Sequence, residues 1–89
     1  MWYLYILESL KNHYLYVGIT SSVIRRLREH NDGIGGAYTS KNRPFKLIFY
    51  EAYLDKRDAM EAERFFKSGY GREVLKDKLK HYFSDNRNR

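Results

Sequence analysis

The sequence predicts a small α+β fold in which a three-stranded, mostly antiparallel sheet is flanked by helices. Two short runs rich in aromatic and branched residues stand close together early in the chain, and a third such run follows an irregular stretch. Segments with helical periodicity come after the second and third runs. The predicted order of elements is therefore β-β-α-β-α-α.

The length and composition fit a single domain with one modest core. The chain has 89 residues, of which 43% are hydrophobic and 17% aromatic. We assign residues 1–83 to this domain and residues 84–89 to a polar, basic tail.

The charge and the rare residue types narrow the classes of function. Lys and Arg total 17 against 11 Asp and Glu, a net charge of +6. Such a charge favours polyanions, with nucleic acid ahead of an anionic membrane. The absence of cysteine excludes disulfides, thiolate metal sites and cysteine nucleophiles, and the three histidines lack a metal-ligand spacing. With no long apolar run and no recognisable leader, we expect a cytoplasmic protein without a membrane partner.

The first predicted strand covers residues 2–8, which are aromatic or aliphatic at nearly every position. This pattern is typical of a central strand that is covered on both faces. Strand alternation places Leu4 and Ile6 on one face and Tyr5 on the other. The polar residues 9–13 are a suitable length for a hairpin connection.

The second predicted strand begins at residue 14 and runs directly into a helix. Tyr16 and Gly18 share one of its faces, so Tyr16 approaches Tyr5 if the register permits. Aromatic core packing is the alternative explanation for these tyrosines. Gly18 lets the backbone turn or admits a close neighbour. Three hydroxyl residues can each cap the helix that follows: Thr20, Ser21 and Ser22.

The first predicted helix carries an arginine and a histidine one turn apart. Helical geometry turns three apolar residues towards the core: Val23, Ile24 and Leu27. Arg26 and His30 fall together on one flank of that face, whereas Arg25 and Glu29 point away from it. A cation and an imidazole in this arrangement can converge on one site. An ordinary basic surface helix is the alternative.

Residues 33–44 contain three glycines and two cations and show no periodicity. We interpret them as a loop that lies over a ligand, with Tyr38 stacking and Lys41 and Arg43 contacting phosphate. A flexible connection without a binding role explains the same pattern.

Residues 45–53 form the third predicted strand, and helices complete the chain. Simple alternation places five side chains on one face of this strand: Phe45, Leu47, Phe49, Glu51 and Tyr53. Asp55 caps a helix that ends near Ser68. A last amphipathic helix is marked by Leu75, Leu79 and Tyr82.

Glu63 is the charged residue whose helical position is hardest to explain. It falls within the predicted apolar face, which is formed by Ala59, Met60, Ala62 and Phe66. A carboxylate in such a place is unfavourable unless it is paired, protonated or bound to a cation. Lys67, one turn later, can pair with it. Glu63 can equally be the single carboxylate ligand of a hydrated Mg²⁺ ion.

Taken together, these segments resemble the GIY-YIG nuclease domain, in the small single-domain form related to the catalytic domain of the bacterial excinuclease incision subunit. YLY at residues 3–5 is similar to the first half of the family's namesake motif, and YVG at residues 16–18 to the second half. Arg26 matches the family's catalytic arginine, and His30 matches a histidine found one turn later in many members. Glu63 matches its metal-binding glutamate. The first glycine of the motif is replaced by tyrosine, and an asparagine that some members carry has no counterpart.

The resemblance implies hydrolysis of phosphodiester bonds with one divalent cation, Mg²⁺ ahead of Mn²⁺. Tyr16 would activate the attacking water, and Tyr5 would orient it or share its proton. Arg26 would stabilise charge on the phosphoryl oxygens, and Glu63 would hold the metal. His30 would position Tyr16 or relay protons.

The predicted activity is that of an endonuclease with DNA, ahead of RNA, as its partner, and the related excinuclease suggests a role in DNA repair. The expected nucleic-acid contacts are Arg25, Tyr38, Lys41, Arg43 and Lys67. A catalytically silent nucleic-acid-binding module with the same fold is the main alternative. An interaction domain that binds a protein partner or a larger complex is the third.

Overall fold

The computed structural model describes residues 1–87, which form three strands and five helices. In chain order these are β1 (Trp2–Ser9), β2 (Leu15–Thr20), α1 (Val23–Asn31), α2 (Ala37–Asn42), β3 (Phe45–Tyr53), α3 (Lys56–Lys67), α4 (Gly69–Lys78) and α5 (Lys80–Arg87). The strands pair in the order β2-β1-β3, and both pairings are antiparallel. The predicted α+β fold is confirmed, with the short helix α2 added after α1 and the final helical segment divided into α4 and α5.

The central strand β1 separates two layers of side chains, as its alternation predicts. On one face, Leu4 and Ile6 are fully buried in a cluster that also includes Phe66 from α3 and Leu75 from α4. On the other face, Tyr5 belongs to a second cluster, against which α1 packs. The sheet therefore lies between α1 on one side and α3 to α5 on the other.

The alternation of side chains along strand β3 reverses part-way along the strand. Its pairing with β1 shifts between Ile6 and Leu7, which leaves Ile48 as an additional residue in the ladder. Such a bulge reverses the alternation. Phe45 accordingly packs in the α1-side cluster, whereas Phe49 packs in the cluster on the opposite face. The predicted single face of this strand is therefore wrong from Phe49 onward.

Helix α1 is capped by one of the three expected hydroxyl residues. The Ser22 side chain accepts a hydrogen bond from the Arg25 backbone N–H. After the helix, Gly33 adopts a φ of 83°, a left-handed conformation that glycine takes without steric penalty. The predicted beginning of this helix is confirmed, with Ser22 as the cap.

The buried face of α1 is rotated relative to the prediction. Val23 and Leu27 pack in the α1-side cluster, but Ile24 is 75% exposed. His30, on the opposite flank of the predicted face, is instead fully buried. The assignment of Ile24 to the core was wrong because apolar character alone did not indicate that the helix turns its histidine inward.

Helix α2 occupies the middle of the predicted loop at residues 33–44. Its position is fixed by the β1–β2 hairpin, since Ser9 Oγ donates to the Asn42 carbonyl at 2.5 Å and Asn12 Nδ2 donates to Asn42 Oδ1 at 2.6 Å. Thr39 is fully buried. The middle of the segment is therefore packed against the hairpin.

Helices α3 and α4 meet at a tight corner. Asp55 caps α3 as predicted, accepting from the Arg57 backbone N–H, and Ser68 ends α3 and caps α4. Met60 is largely exposed, so its assignment to the apolar face was wrong. Further along the chain, α5 continues through residues 84–87 of the predicted tail, and residues 88–89 lie outside the described part.

Candidate active site

A tyrosine and a histidine form a buried hydrogen-bonded pair between β1 and α1. The Tyr5 hydroxyl lies 2.9 Å from His30 Nε2, and both side chains are almost completely buried. Burial raises the pKa of Tyr5 to about 12, an effect that a hydrogen bond from Arg26 opposes. Burial, together with the charge of Arg26, lowers the pKa of His30 to about 4. Both groups are therefore uncharged near neutral pH.

Two glycines make room for this pair. Gly18 lies directly opposite Tyr5 in the β1–β2 ladder, and a Cβ there would come within 2.7 Å of the Tyr5 hydroxyl oxygen. The expectation that Gly18 admits a close neighbour is thus confirmed. A Cβ at Gly35 would overlap His30 Nδ1. That nitrogen has no hydrogen-bond partner among the described residues.

Tyr16 connects the buried pair to the protein surface. Its ring packs edge-on against His30, with centroids 4.8 Å apart, and lies 6.2 Å from the Tyr5 ring. On its other side it stacks with Tyr38 of α2, at 6.2 Å and an interplanar angle of 25°. The predicted approach of Tyr16 to Tyr5 is confirmed. His30, however, forms its hydrogen bond with Tyr5 and contacts Tyr16 only through the rings.

Arg26 lies on the same flank of α1 as His30, as predicted. Its Nη1 donates to Glu29 Oε1 at 2.9 Å, and its Nη2 donates to the Gly35 carbonyl at 3.4 Å. The hydrogen bond to Glu29 is the main cause that raises the pKa of Arg26, and a hydrogen bond to Tyr5 acts in the same direction. The guanidinium is thereby held beside the tyrosine hydroxyl.

Glu63 lies at the margin of the apolar face of α3 and not within it. Its side chain is 28% exposed, and Oε2 is 3.3 Å from Lys67 Nζ. Its negative charge is one of the smaller influences that raise the pKa of Tyr5, so the carboxylate belongs to the electrostatic surroundings of the buried pair. The structure thus realises the ion pair that the sequence left open as one of two explanations.

The donor set for a metal ion is a single carboxylate. Within residues 1–87 no group of three or more His, Cys, Asp and Glu side chains is arranged to hold a metal ion. One carboxylate is nevertheless a sufficient protein ligand for Mg²⁺, which usually retains waters and binds substrate phosphate. Glu63, accessible and close enough to influence Tyr5, fits this type of site.

Residues 1–84 match the family model of the GIY-YIG catalytic domain. The chain belongs to the GIY-YIG family. It is 36% identical over 86 residues to the UPF0213 protein YazA of Bacillus subtilis (strain 168), covering 97% of this chain and 81% of YazA. It is 46% identical over 65 residues to the UPF0213 protein SAG0778 of Streptococcus agalactiae, covering 73% of each.

A solved relative has the same fold. The solution NMR structure of the UPF0213 protein BH0048 from Bacillus halodurans is 38% identical, superimposes with a TM-score of 0.51, and covers 84% of this chain and 82% of that one. The resemblance to the GIY-YIG family is therefore confirmed. Membership places the chain in the GIY-YIG nuclease superfamily.

Most of the predicted nucleic-acid contacts of this GIY-YIG domain lie on its surface. Arg25, Lys41 and Arg43 are exposed, and Tyr38 is partly exposed beside Tyr16. Lys67 is exposed as well, and it pairs with the Glu63 carboxylate at 3.3 Å, as Arg25 does with Glu29 at 4.0 Å. No helix among the described residues is both long and apolar enough to cross a membrane.

Sequence reasoning missed two residues of the GIY-YIG site. Glu29 was expected to point away from Arg26, yet the long arginine side chain reaches it across the helix surface. Their spacing of one helical turn was a visible signal for this pair. Gly35 packs against His30 and accepts from Arg26, but nothing in the sequence distinguishes it from the neighbouring glycines.

Proposed function

We propose that this GIY-YIG domain is a metal-dependent endonuclease that hydrolyses phosphodiester bonds of nucleic acid, with DNA ahead of RNA. The observation that carries the proposal is the uncharged Tyr5–His30 pair, with Tyr16 against the same imidazole and Arg26 beside it. A protein that only binds phosphate needs surface cations, not two tyrosines and a neutral histidine arranged around a glycine-lined space.

The proposed division of roles follows from the environment of each tyrosine. The pKa of Tyr5 is raised to about 12, so its hydroxyl stays neutral. It orients the attacking water or returns a proton. Tyr16 lies closer to the surface and accepts the proton of the attacking water while it passes its own hydroxyl proton to a neighbouring group. His30, neutral near pH 7, holds Tyr5 in place and passes protons through Nε2.

Arg26 and Glu63 provide the charges that a phosphodiester requires. The Arg26 guanidinium is partly exposed, so it can contact phosphoryl oxygens and stabilise the charge that develops on them. Glu63 would hold the divalent ion, Mg²⁺ ahead of Mn²⁺. When bound, such an ion supplies a Lewis acid for the phosphate and leaving group.

The test is a cleavage assay with a panel of labelled nucleic acids. Purified protein is incubated with single-stranded, duplex and branched DNA and RNA, in Mg²⁺, in Mn²⁺ or in a chelator. We expect cutting that requires metal and falls about 100-fold or more in Tyr16→Phe, while Tyr70→Phe, altered at an exposed tyrosine outside the site, cuts as the natural protein does. Absence of cutting on every substrate, or full activity in Tyr16→Phe, contradicts the proposal.

One observation favours the second candidate, a catalytically silent nucleic-acid-binding module. The Glu63 carboxylate already has a counter-charge in Lys67, at 3.3 Å. On this alternative, the protein binds nucleic acid equally well with and without divalent ions, and Glu63→Gln leaves every measured property nearly unchanged. The cleavage panel separates the two functions.

A further inference from the structure

A cavity of about 410 Å³ opens at the free edge of β2, outside the Tyr5–His30 site. It is formed where the β1–β2 hairpin, α2 and α4 meet. The residues that line it include two tyrosines, a glycine and three charged residues of α4: Tyr14, Tyr38, Gly69, Arg72, Glu73 and Lys76. Its volume is in the range of cavities that hold small organic molecules.

Two aromatic rings of this cavity are available for stacking. Tyr14 is 60% exposed and Tyr38 is 44% exposed. Tyr38 also stacks on Tyr16, so its ring belongs both to the cavity and to the surroundings of the candidate catalytic tyrosine. A group bound in the cavity therefore lies next to the site where a phosphodiester would be cut.

Two cations stand one turn apart on the α4 side of the cavity. Lys76 Nζ is 3.3 Å from the Glu73 carboxylate, which neutralises part of its charge. Arg72 has no ion-pair partner among the side chains described in residues 1–87. The Arg72 guanidinium is thus the group best placed to receive an anion, and a planar guanidinium is well suited to phosphate.

We propose that this cavity binds one unpaired nucleotide of the nucleic-acid strand that enters the candidate active site. Its base would stack on Tyr14 or Tyr38, and its phosphate would contact Arg72. A base inside a duplex is already covered on both faces by its neighbours, so only an unpaired one can use these rings. The inference rests on the proposed function, because it makes the cavity a subsite of the same substrate.

Gly69 offers a way to fill the cavity without disturbing the fold. A Cβ at this position meets no atom within 4 Å. In Gly69→Trp the indole would occupy the cavity and leave the packing of α3, α4 and the sheet unchanged. Tyr70→Ala is the matched control, since Tyr70 is the next residue, is 74% exposed and does not line the cavity.

The experiment measures binding in chelator, so that it does not depend on cleavage. Fluorescent single-stranded DNA, single-stranded RNA of the same sequence and a blunt DNA duplex are each titrated with the natural protein, Gly69→Trp, Arg72→Gln and Tyr70→Ala. We expect Gly69→Trp to weaken single-strand binding about tenfold while duplex binding and thermal unfolding stay unchanged. Arg72→Gln should lower the salt slope of single-strand binding by about 0.7.

The outcomes of these titrations separate the cavity proposal from the proposed nuclease function. Unchanged single-strand affinity in a folded Gly69→Trp protein overturns the proposal, as does an equal loss on the duplex. If Gly69→Trp fails to fold, an unchanged salt slope in Arg72→Gln overturns it instead. The DNA and RNA arms decide which nucleotide is bound. Failure of the proposed nuclease function appears separately, as absence of cutting in Mg²⁺ while the binding pattern persists.

Discussion

At the scale of single residues, the ability of Glu63 to bind a cation depends on how strongly its charge is already neutralised by a neighbour. Glu63 has an ammonium 3.3 Å away, but both side chains of that pair remain partly exposed. Exposed and half-exposed ion pairs contribute little to stability because water screens them and their side chains lose entropy. Lys67 is therefore a partner that a bound cation can replace, and Glu63 is poorly explained as a purely structural residue.

We predict that Glu63→Gln abolishes metal-dependent cleavage and changes the free energy of unfolding by less than about 1 kcal/mol. The amide keeps the shape of the side chain but cannot hold a divalent ion. Cleavage assays and urea titrations check both parts. Glu61→Gln, altered at an exposed position of the same helix, should behave like the natural protein. Retained cleavage in Glu63→Gln would show that the carboxylate is not the metal ligand.

His30 gives the fold a characteristic dependence on pH. Its pKa is about 4 in the folded protein, against 6.5 for an ordinary histidine. Between these values the unfolded chain binds a proton that the folded one does not, so stability falls as pH is lowered from about 6.5 to about 4. We predict that this residue lowers the free energy of unfolding by about 3 kcal/mol over that pH interval. Below pH 4 it should cause no further loss.

Urea unfolding at pH 7, 5 and 4 measures this loss. In His30→Gln the difference between pH 7 and pH 4 should shrink by the same amount. In His81→Gln, altered at an exposed histidine, the difference should match that of the natural protein. An identical pH profile in all three proteins would mean that His30 is not held neutral by burial.

At the scale of secondary-structure elements, the backbones of α3 and α4 come very close together at the corner between the two helices. Gly71 lies in the first turn of α4, and a Cβ there would overlap the Phe65 carbonyl oxygen of α3. Backbone cannot move aside as a flexible side chain can. The two helices approach this closely only because the residue at position 71 has no side chain.

We predict that Gly71→Ala lowers the free energy of unfolding by about 1–3 kcal/mol, because the helices must separate. Gly69→Ala, two residues earlier and facing open space, should raise it by about 0.4–1 kcal/mol through reduced freedom of the unfolded chain. Thermal or urea unfolding of both variants provides the comparison. Equal effects of the two alanines would refute the packing explanation.

The elements themselves were largely predictable, whereas their rotations and irregularities were not. Hydrophobic patterning predicted the bounds of β3. Side-chain chemistry predicted the cap at Asp55 and included Ser22 among three candidate caps, since caps depend on local chemistry. The bulge at Ile48 depends on pairing with β1 and has no local signal. Likewise, α2 is too short to show a period, and its packing depends on hydrogen bonds to a distant hairpin.

The candidate site shows the same division. Its principal residues were found through a family pattern that joins distant parts of the chain, and Tyr5, Tyr16 and His30 are brought together as that pattern implies. The depth at which His30 is buried was not predictable, because the apolar pattern centred the buried face between Val23 and Ile24 and left His30 on its flank. The position of Gly35 likewise follows from tertiary packing.

At the scale of the whole molecule, net charge governs the first encounter with a partner. The chain carries +6, and the exposed cations Arg25, Lys41 and Arg43 belong to α1, α2 and the turn that follows it. A polyanion attracted by this field releases counterions on binding. Affinity for nucleic acid should therefore fall steeply as salt is added.

We predict that neutralising any one of these three cations lowers the slope of log affinity against log salt by about 0.9 or less on duplex DNA. Arg57→Gln is the control, because the Arg57 guanidinium is held by Asp55 at 2.7 Å. Fluorescence titrations at several salt concentrations measure the slopes. Binding that is insensitive to salt would contradict the electrostatic part of the function.

His30 Nδ1, which has no hydrogen-bond partner among the described residues, makes the imidazole unfavourable for stability, whereas the proposed function requires it. Leaving a buried polar atom without a partner costs about 1–3 kcal/mol, and Gly35 packs directly against this nitrogen. An apolar residue of similar volume would remove that penalty and the acid sensitivity together, at the cost of the hydrogen bond between Nε2 and the Tyr5 hydroxyl. Selection for resistance to acid alone should therefore favour replacement of the imidazole, and on the proposed function such variants should cleave nucleic acid poorly.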